Sequence, residues 1–304
     1  MRGALAVTPV GREGGEGLGG VRVCAHSFMR CALAAILLAW ESLAGAQEPA
    51  KDAPPAEASG QEDESDLAAQ TQNPVADLIS VPLQENLDYG IGPNSRARST
   101  LNIQPVIPAH LFGDWNLISR IIIPVIYQPD VMMTTGGSSG LGDINPAFFV
   151  SPANPGALIW GLGPAFLLPT ATQTSLGTGR WGAGPTGVVL VQPKHWTIGV
   201  LASNVWSFAG DDGRPDVNQL TLQYFVNYNL PQGWYLTSAP ILTANWKAAS
   251  GDTWLVPFGA GVGKIFKLGK QAMNGSLSAY GNAIKPTGAP DWQLRVQLAF
   301  LFPK

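Results

Sequence analysis

The sequence predicts an all-β fold: a transmembrane antiparallel β-barrel of about twelve strands behind a short N-terminal segment. Three observations lead there. A secretory signal opens the chain, apolar and polar residues alternate along most of the remainder, and the tryptophans collect beside turns.

The signal starts at Met29-Arg30, which runs into the apolar stretch 31–40, and Ala44-Gly45-Ala46 supplies a small-x-small cleavage pattern, so processing is expected between Ala46 and Gln47. The apolar stretch is about half as long as a spanning helix, which disfavours a permanent anchor. Residues 1–28, rich in Gly and Arg and without pattern, read as an over-extended start, with Met29 the true first residue. Residues 1–46 are therefore assigned to that start plus the signal peptide, 47–82 to an acidic leader with a short plug helix, and 83–304 to the barrel. Both cysteines, Cys24 and Cys31, fall in the part to be removed, so neither a disulfide nor a thiolate metal site is expected in the mature chain.

From Gln47 to Asp66 there are seven acidic residues and one basic, while Leu67 to Lys304 carries eleven acidic and thirteen basic. The first stretch, rich in Pro, Ala, Glu and Asp, cannot bury enough apolar surface to offset its ordering entropy. The second is too balanced in charge to bind nucleic acid.

Beyond residue 82 no apolar run is long enough for a spanning helix, which leaves a closed barrel as the membrane-spanning option. In the last segment Trp292, Leu294, Val296, Leu298, Phe300 and Phe302 alternate with Gln293, Arg295 and Gln297. Leu220, Leu222, Tyr224, Val226 and Tyr228 alternate in the same way with Gln219, Thr221, Gln223 and Asn227, Phe225 being the exception. Thr100, Asn102, Gln104 and Arg120 occupy the polar face of two earlier segments. All eleven polar residues are expected to line a wet lumen, with the apolar faces turned to outer-membrane lipid. A soluble sandwich would alternate too, but it would hold its tryptophans mid-strand. Here Trp115, Trp160, Trp196 and Trp234 open strands after short turns, and Trp181, Trp206, Trp246, Trp254 and Trp292 lie beside longer loops, as two interfacial girdles require.

Turn signals place strand starts at Leu83, Arg98, Trp115, Gly142, Leu158, Trp181, Trp196, Asn218, Trp234, Trp254, Ala272 and Trp292. The connections alternate between tight and long, as in bacterial barrels. Pro105, Pro124, Pro146, Pro164, Pro185, Pro240 and Pro257 fall inside these strands, where each removes a ladder donor, so kinks or bulges are expected.

The runs 73–82 (NPVADLISVP), 101–108 (LNIQPVIP), 115–120 (WNLISR), 140–143 (GLGD) and 177–185 (GTGRWGAGP) resemble the bacterial outer-membrane proteins of the MetA-pathway phenol-degradation family. Members of that family often carry the transferred label "neuromedin U", an animal hormone name that nothing in this chain supports. The resemblance covers about residues 70–304. It implies a transporter barrel for small molecules, aromatic ones included, placed by the barrel insertion machinery. Such barrels commonly end on an aromatic residue, whereas here Pro303-Lys304 follows Phe302.

Catalytic and cofactor chemistry finds little support. Gly182-Ala183-Gly184-Pro185-Thr186-Gly187 has dinucleotide-loop spacing, but a strand-like run follows instead of a helix N-terminus. Asp211, Asp212 and Asp216 read as a solvated loop rather than a calcium site. His110 and His195, the histidines outside the removed part, fall in short turns away from any nucleophile. No cofactor, no metal and no enzymatic activity are expected. The main reading is a channel or transporter, with a structural or adhesive barrel and a lipid-modifying enzyme as alternatives.

Strand parity turns Gly161, Gly163, Gly182, Gly184 and Gly199 inward as a patch without side chains. Such glycines serve either wall curvature or the close approach of another group. Asn73 as cap and Pro74 at the first position suggest a short helix over 73–82. The second expectation is that this segment plugs the periplasmic mouth, with Val75, Leu78 and Ile79 against the glycines.

Overall fold

A computed structural model describes residues 66–303. The signal peptide, its cleavage site and the leader up to residue 65 lie outside the described residues. Twelve antiparallel strands close on themselves in sequence order. They are β1 (Ile79–Ile91), β2 (Arg96–Ile103 and Val106–Phe112), β3 (Trp115–Pro129), β4 (Gly137–Leu141 and Asn145–Pro152), β5 (Leu158–Leu167) and β6 (Arg180–Val191), followed by β7 (Trp196–Gly210), β8 (Asn218–Asn229), β9 (Trp234–Ser238 and Ile241–Asn245), β10 (Trp254–Leu268), β11 (Gln271–Ile284) and β12 (Trp292–Phe302). The seam is β1 against β12, running from Ile79↔Phe302 to Tyr89↔Trp292. Closure matters because an open edge would leave a row of unpaired backbone groups.

Short turns, such as 113–114 and 269–270, gather at one rim, and the longer loops 130–136, 168–179, 211–217, 246–253 and 285–291 at the other. Two rings of aromatics follow the rims. Trp115 meets Trp160 edge-on at 5.8 Å and Lys264 Nζ lies 5.0 Å over the Trp234 ring at the short-turn rim, while Tyr89 stacks on Trp292 at 4.3 Å and Trp246 meets Trp254 at 5.5 Å near the loops. Between them the outer face is apolar, with Leu162, Leu236 and Phe258 exposed. Glu85 interrupts it at mid-strand, opposite Leu101 and Val296, and accepts a 2.7 Å hydrogen bond from Ser99 Oγ.

The prolines mark the irregular places. β2 breaks at Gln104-Pro105 and β9 at Ala239-Pro240, Pro146 stands one residue inside the second half of the interrupted β4, and the β10–β11 register shifts at Val256/Pro257. Pro164 and Pro185 face each other across β5 and β6, so their missing donors fall on outer neighbours instead. The β6–β7 ladder accordingly skips residues 184–185 with no change of register. The proline-bearing strands thus lose hydrogen bonds locally while the sheet stays closed.

The structure departs from the sequence reading over residues 73–82. Residues 66–71 are helical, upstream of the expected helix, and β1 begins at Ile79, four residues early. Asn73 caps only one turn, its Oδ1 accepting from Val75 N at 3.0 Å and its carbonyl from Ala76 N at 3.2 Å. Ile79 is paired with Phe302 in the wall. The β-branched Ile79 and Val81 satisfy their backbone by extending the seam, which a helix too short to be stable alone could not match.

Candidate functional site: a lumen in two chambers

The segment 66–78 lies inside the short-turn end, held by two apolar clusters. Leu67, Ala68, Ala76 and Leu78 pack with Tyr235, Ile265, Ala272, Ala299 and Leu301 from β9–β12. Val75 packs with Ile118, Phe149, Val188, Leu190, Leu201 and Phe225 from β3–β8. Two polar ties add direction, from Gln192 Nε2 to the Ala69 carbonyl at 2.8 Å and from Gln72 Nε2 to Asn229 Oδ1 at 2.7 Å. A cavity of about 400 Å³ remains between Gln70, Asn73 and Asp77 on the segment and Asn116, Pro152 and Pro155 on the wall.

Above the segment a polar belt crosses the barrel. Arg295 on β12 donates from Nε to Asn86 Oδ1 (3.0 Å), from Nη2 to Gln293 Oε1 (3.1 Å) and from Nη1 to the Ala239 carbonyl (2.8 Å), which the strand break frees. Its guanidinium also lies 4.8 Å over the Tyr280 ring. Gln223 Nε2 shares the Ala239 carbonyl at 3.3 Å, and Arg120 Nη2 donates to Gln104 Oε1 at 2.8 Å. Asp88 is fully engaged, one oxygen taking Arg98 at 2.7 Å and the other Gln293 at 2.8 Å.

Beyond the belt opens a second cavity of about 450 Å³. Arg98, Thr100, Asn145, Thr178, Gln219 and Thr221 give it a polar side; Pro124, Ile126, Leu167, Leu176, Val205 and Val217 give it an apolar one. The loop 168–179 dips into this chamber, burying Leu176. The Asp143 carboxylate, in the gap of β4, fixes the loop by accepting from Thr178 N (2.6 Å), Thr178 Oγ1 (2.8 Å) and Ala171 N (3.2 Å). Arg214 reinforces it, donating to the carbonyls of Gly177 and, at 3.1 Å, Thr178.

The polar residues singled out in the sequence lie at three heights along the strands. Thr100, Gln219 and Thr221 border the outer cavity, and Gln104, Arg120, Gln223, Gln293 and Arg295 form the belt. Asn102 and Gln297 flank Gln84 in register, and Asn227 is buried opposite Thr197. Sequence reasoning missed Gln84, Asn86 and Asp88, although their spacing in β1 repeats the same alternation, and it missed the Asp143 latch.

The five inward glycines separate by neighbour. A Cβ on Gly161 would stand 3.0 Å from Val75 Cγ1, so here the segment uses the missing side chain. Gly199 lies under the Phe225 ring, which accounts for that residue's place on a polar face. Gly163 and Gly184 would overlap the carbonyls of Phe148 and Asn204, close approaches of the wall to itself, and Gly182 meets Val205 and Leu167. Leu78 packs with Tyr235, Ile265, Ala272, Ala299 and Leu301 of β9–β12. The run 182–187 is strand in β6, Asp212 and Asp216 pair with Arg180 at 3.5 and 3.2 Å, and His195 packs on Tyr228 at the short-turn rim.

A scan against family models and a search of curated proteins return no match. Among solved structures the chain is similar to the COG4313 outer membrane channel from Pseudomonas putida F1, with a TM-score of 0.56 and 15% identity over 74% of this chain and 94% of that one. Outer membrane phospholipase A from Escherichia coli (TM-score 0.42, 12% identity, 79% and 98% covered) and the P. putida toluene transporter TodX (0.37, 8%, 74% and 87%) are more distant. At these identities the likeness establishes the barrel fold.

Proposed function

We propose that the chain is an outer-membrane channel for small molecules that join an apolar body to a polar group, aromatic compounds among them, and that it is related to the MetA-pathway family. The observation that carries this reading is the outer cavity, whose two sides match such a solute and whose volume lies in the range of small-molecule sites. The five sequence runs that carry the resemblance all reach the lumen: the segment 73–78, the β2 break with Gln104, Arg120 on β3, and the two halves of the Asp143–Thr178 latch. Between the aromatic rings the apolar outer face suits lipid. Segment 66–78 acts as a plug at the short-turn mouth. Uptake into proteoliposomes tests the function: phenol-sized aromatics should enter faster than disaccharides, and equal exclusion of both would refute it.

A further inference from the structure

Below the loop rim, three arginines turn into the lumen, Arg98, Arg120 and Arg295, and their carboxylate neighbours are unequally distributed. Asp88 is spent on Arg98 and Gln293, and Asp143 on the loop 168–179. Asp77 borders the lower cavity, beside Asn116. Arg295 is locked by three hydrogen bonds and an aromatic face. Arg120 differs. Its hydrogen bond goes to the neutral Gln104, it forms no ion pair among the described residues, and it shares the belt with a second guanidinium, that of Arg295.

A half-buried guanidinium without a counter-charge is stabilised when an anion reaches it. Its fork matches a carboxylate in shape and charge. On β3 the same inward face carries Ile118 one step below and Ile122 one step above, so an apolar body beside the anionic group would find apolar wall.

We propose that the belt is a recognition site for small organic anions with an apolar body, the carboxylate meeting Arg120 while Arg295, held by its own hydrogen bonds, adds a second fixed positive charge to the belt. This rests on the channel reading and names the class of solute that the channel selects. The carboxylate passes from the outer cavity to Arg120 and then to the lower chamber as the segment 66–78 yields.

Planar-bilayer recording of the mature chain tests it. A potassium chloride gradient should give a reversal potential on the anion side, and benzoate should block chloride current where benzyl alcohol, of the same shape without the charge, does not. Arg120→Gln should weaken benzoate block roughly tenfold, the loss expected for one charge-assisted hydrogen bond, whereas Lys264→Gln, on the outer face over the Trp234 ring, should change it little. Cation selectivity, or equal block by benzoate and benzyl alcohol, would overturn the anion site while leaving the channel standing. Absence of any conductance would overturn both. The comparison of the two blockers uses the unaltered chain, so it decides the matter even if Arg120→Gln fails to fold.

Discussion

Val75→Ala measures how firmly the segment 66–78 is seated. Val75 is 6% exposed, surrounded by Ile118, Phe149 and the β6–β8 residues, with Gly161 beneath it. Removing two buried methyl groups, each worth about 0.8 kcal/mol, should weaken docking by ~1.6 kcal/mol, a roughly fifteenfold rise in the undocked population. Ala76→Cys supplies the reporter: Ala76 is 9% exposed inside the other cluster, and the change is small. Labelling by a water-soluble maleimide then follows the undocked fraction, so the double variant should react roughly fifteenfold faster than Ala76→Cys alone. Gly161→Leu, which drives a side chain into Val75, should accelerate it at least as much. Unchanged labelling in both, with the barrel still heat-modifiable, would refute docking through Val75 and Gly161. Gly163→Leu and Gly184→Leu should instead impair folding, since their new side chains collide with wall carbonyls.

Inward and outward positions on β8 should separate chemically, with Gln219→Cys labelled from the outer cavity and Leu220→Cys protected by detergent or lipid; the reverse would mean a register slipped by one residue. Glu85→Leu should raise the unfolding free energy in lipid, by less than the roughly 2–4 kcal/mol that a basic residue costs at the bilayer midplane, and a lower value would show that the Ser99 pair contributes structure. Asp252 links two outer loops, accepting from Thr287 N at 2.8 Å and Oγ1 at 3.0 Å, and these bonds hold its carboxyl below the ordinary 3.8. A depressed folded pKa means the link is present at neutral pH and is lost only as pH falls through that lowered value. Protection of the Thr287 amide, relative to its intrinsic exchange rate, should therefore persist to below pH 3.8 and be lost only as the carboxyl is protonated, and should be missing at all pH values in Asp252→Ala.

Much of the wall was legible because barrel parity is a simple code. Trp115, Leu158, Trp196, Asn218, Trp234, Trp254 and Trp292 open strands where turn residues and rim tryptophans place them. The first strand was harder to read, since Asn73-Pro74 imitates a helix start and hides the β-branched residues that extend the seam to Ile79. The interior chambers were less legible still. Alternation says which side a residue takes, yet Ala299 and Leu301, apolar on an inward face, acquire meaning only from Leu67 and Leu78, which arrive from far along the chain. The break at Pro240 could be read as a lost donor, but not as the freed carbonyl that Arg295 finds 56 residues away.

Single-channel conductance of the chain from residue 47 onward, compared with a form lacking residues 66–78, tests the two-chambered pore most directly. The deletion must end at Leu78, because Ile79–Pro82 belong to the seam with β12. The intact chain should pass small, flickering currents set by the plug and the Arg120–Arg295 belt. The shortened one should pass larger and steadier currents, still anion-selective. Identical currents from both would contradict the plug, and silence from both would contradict the pore.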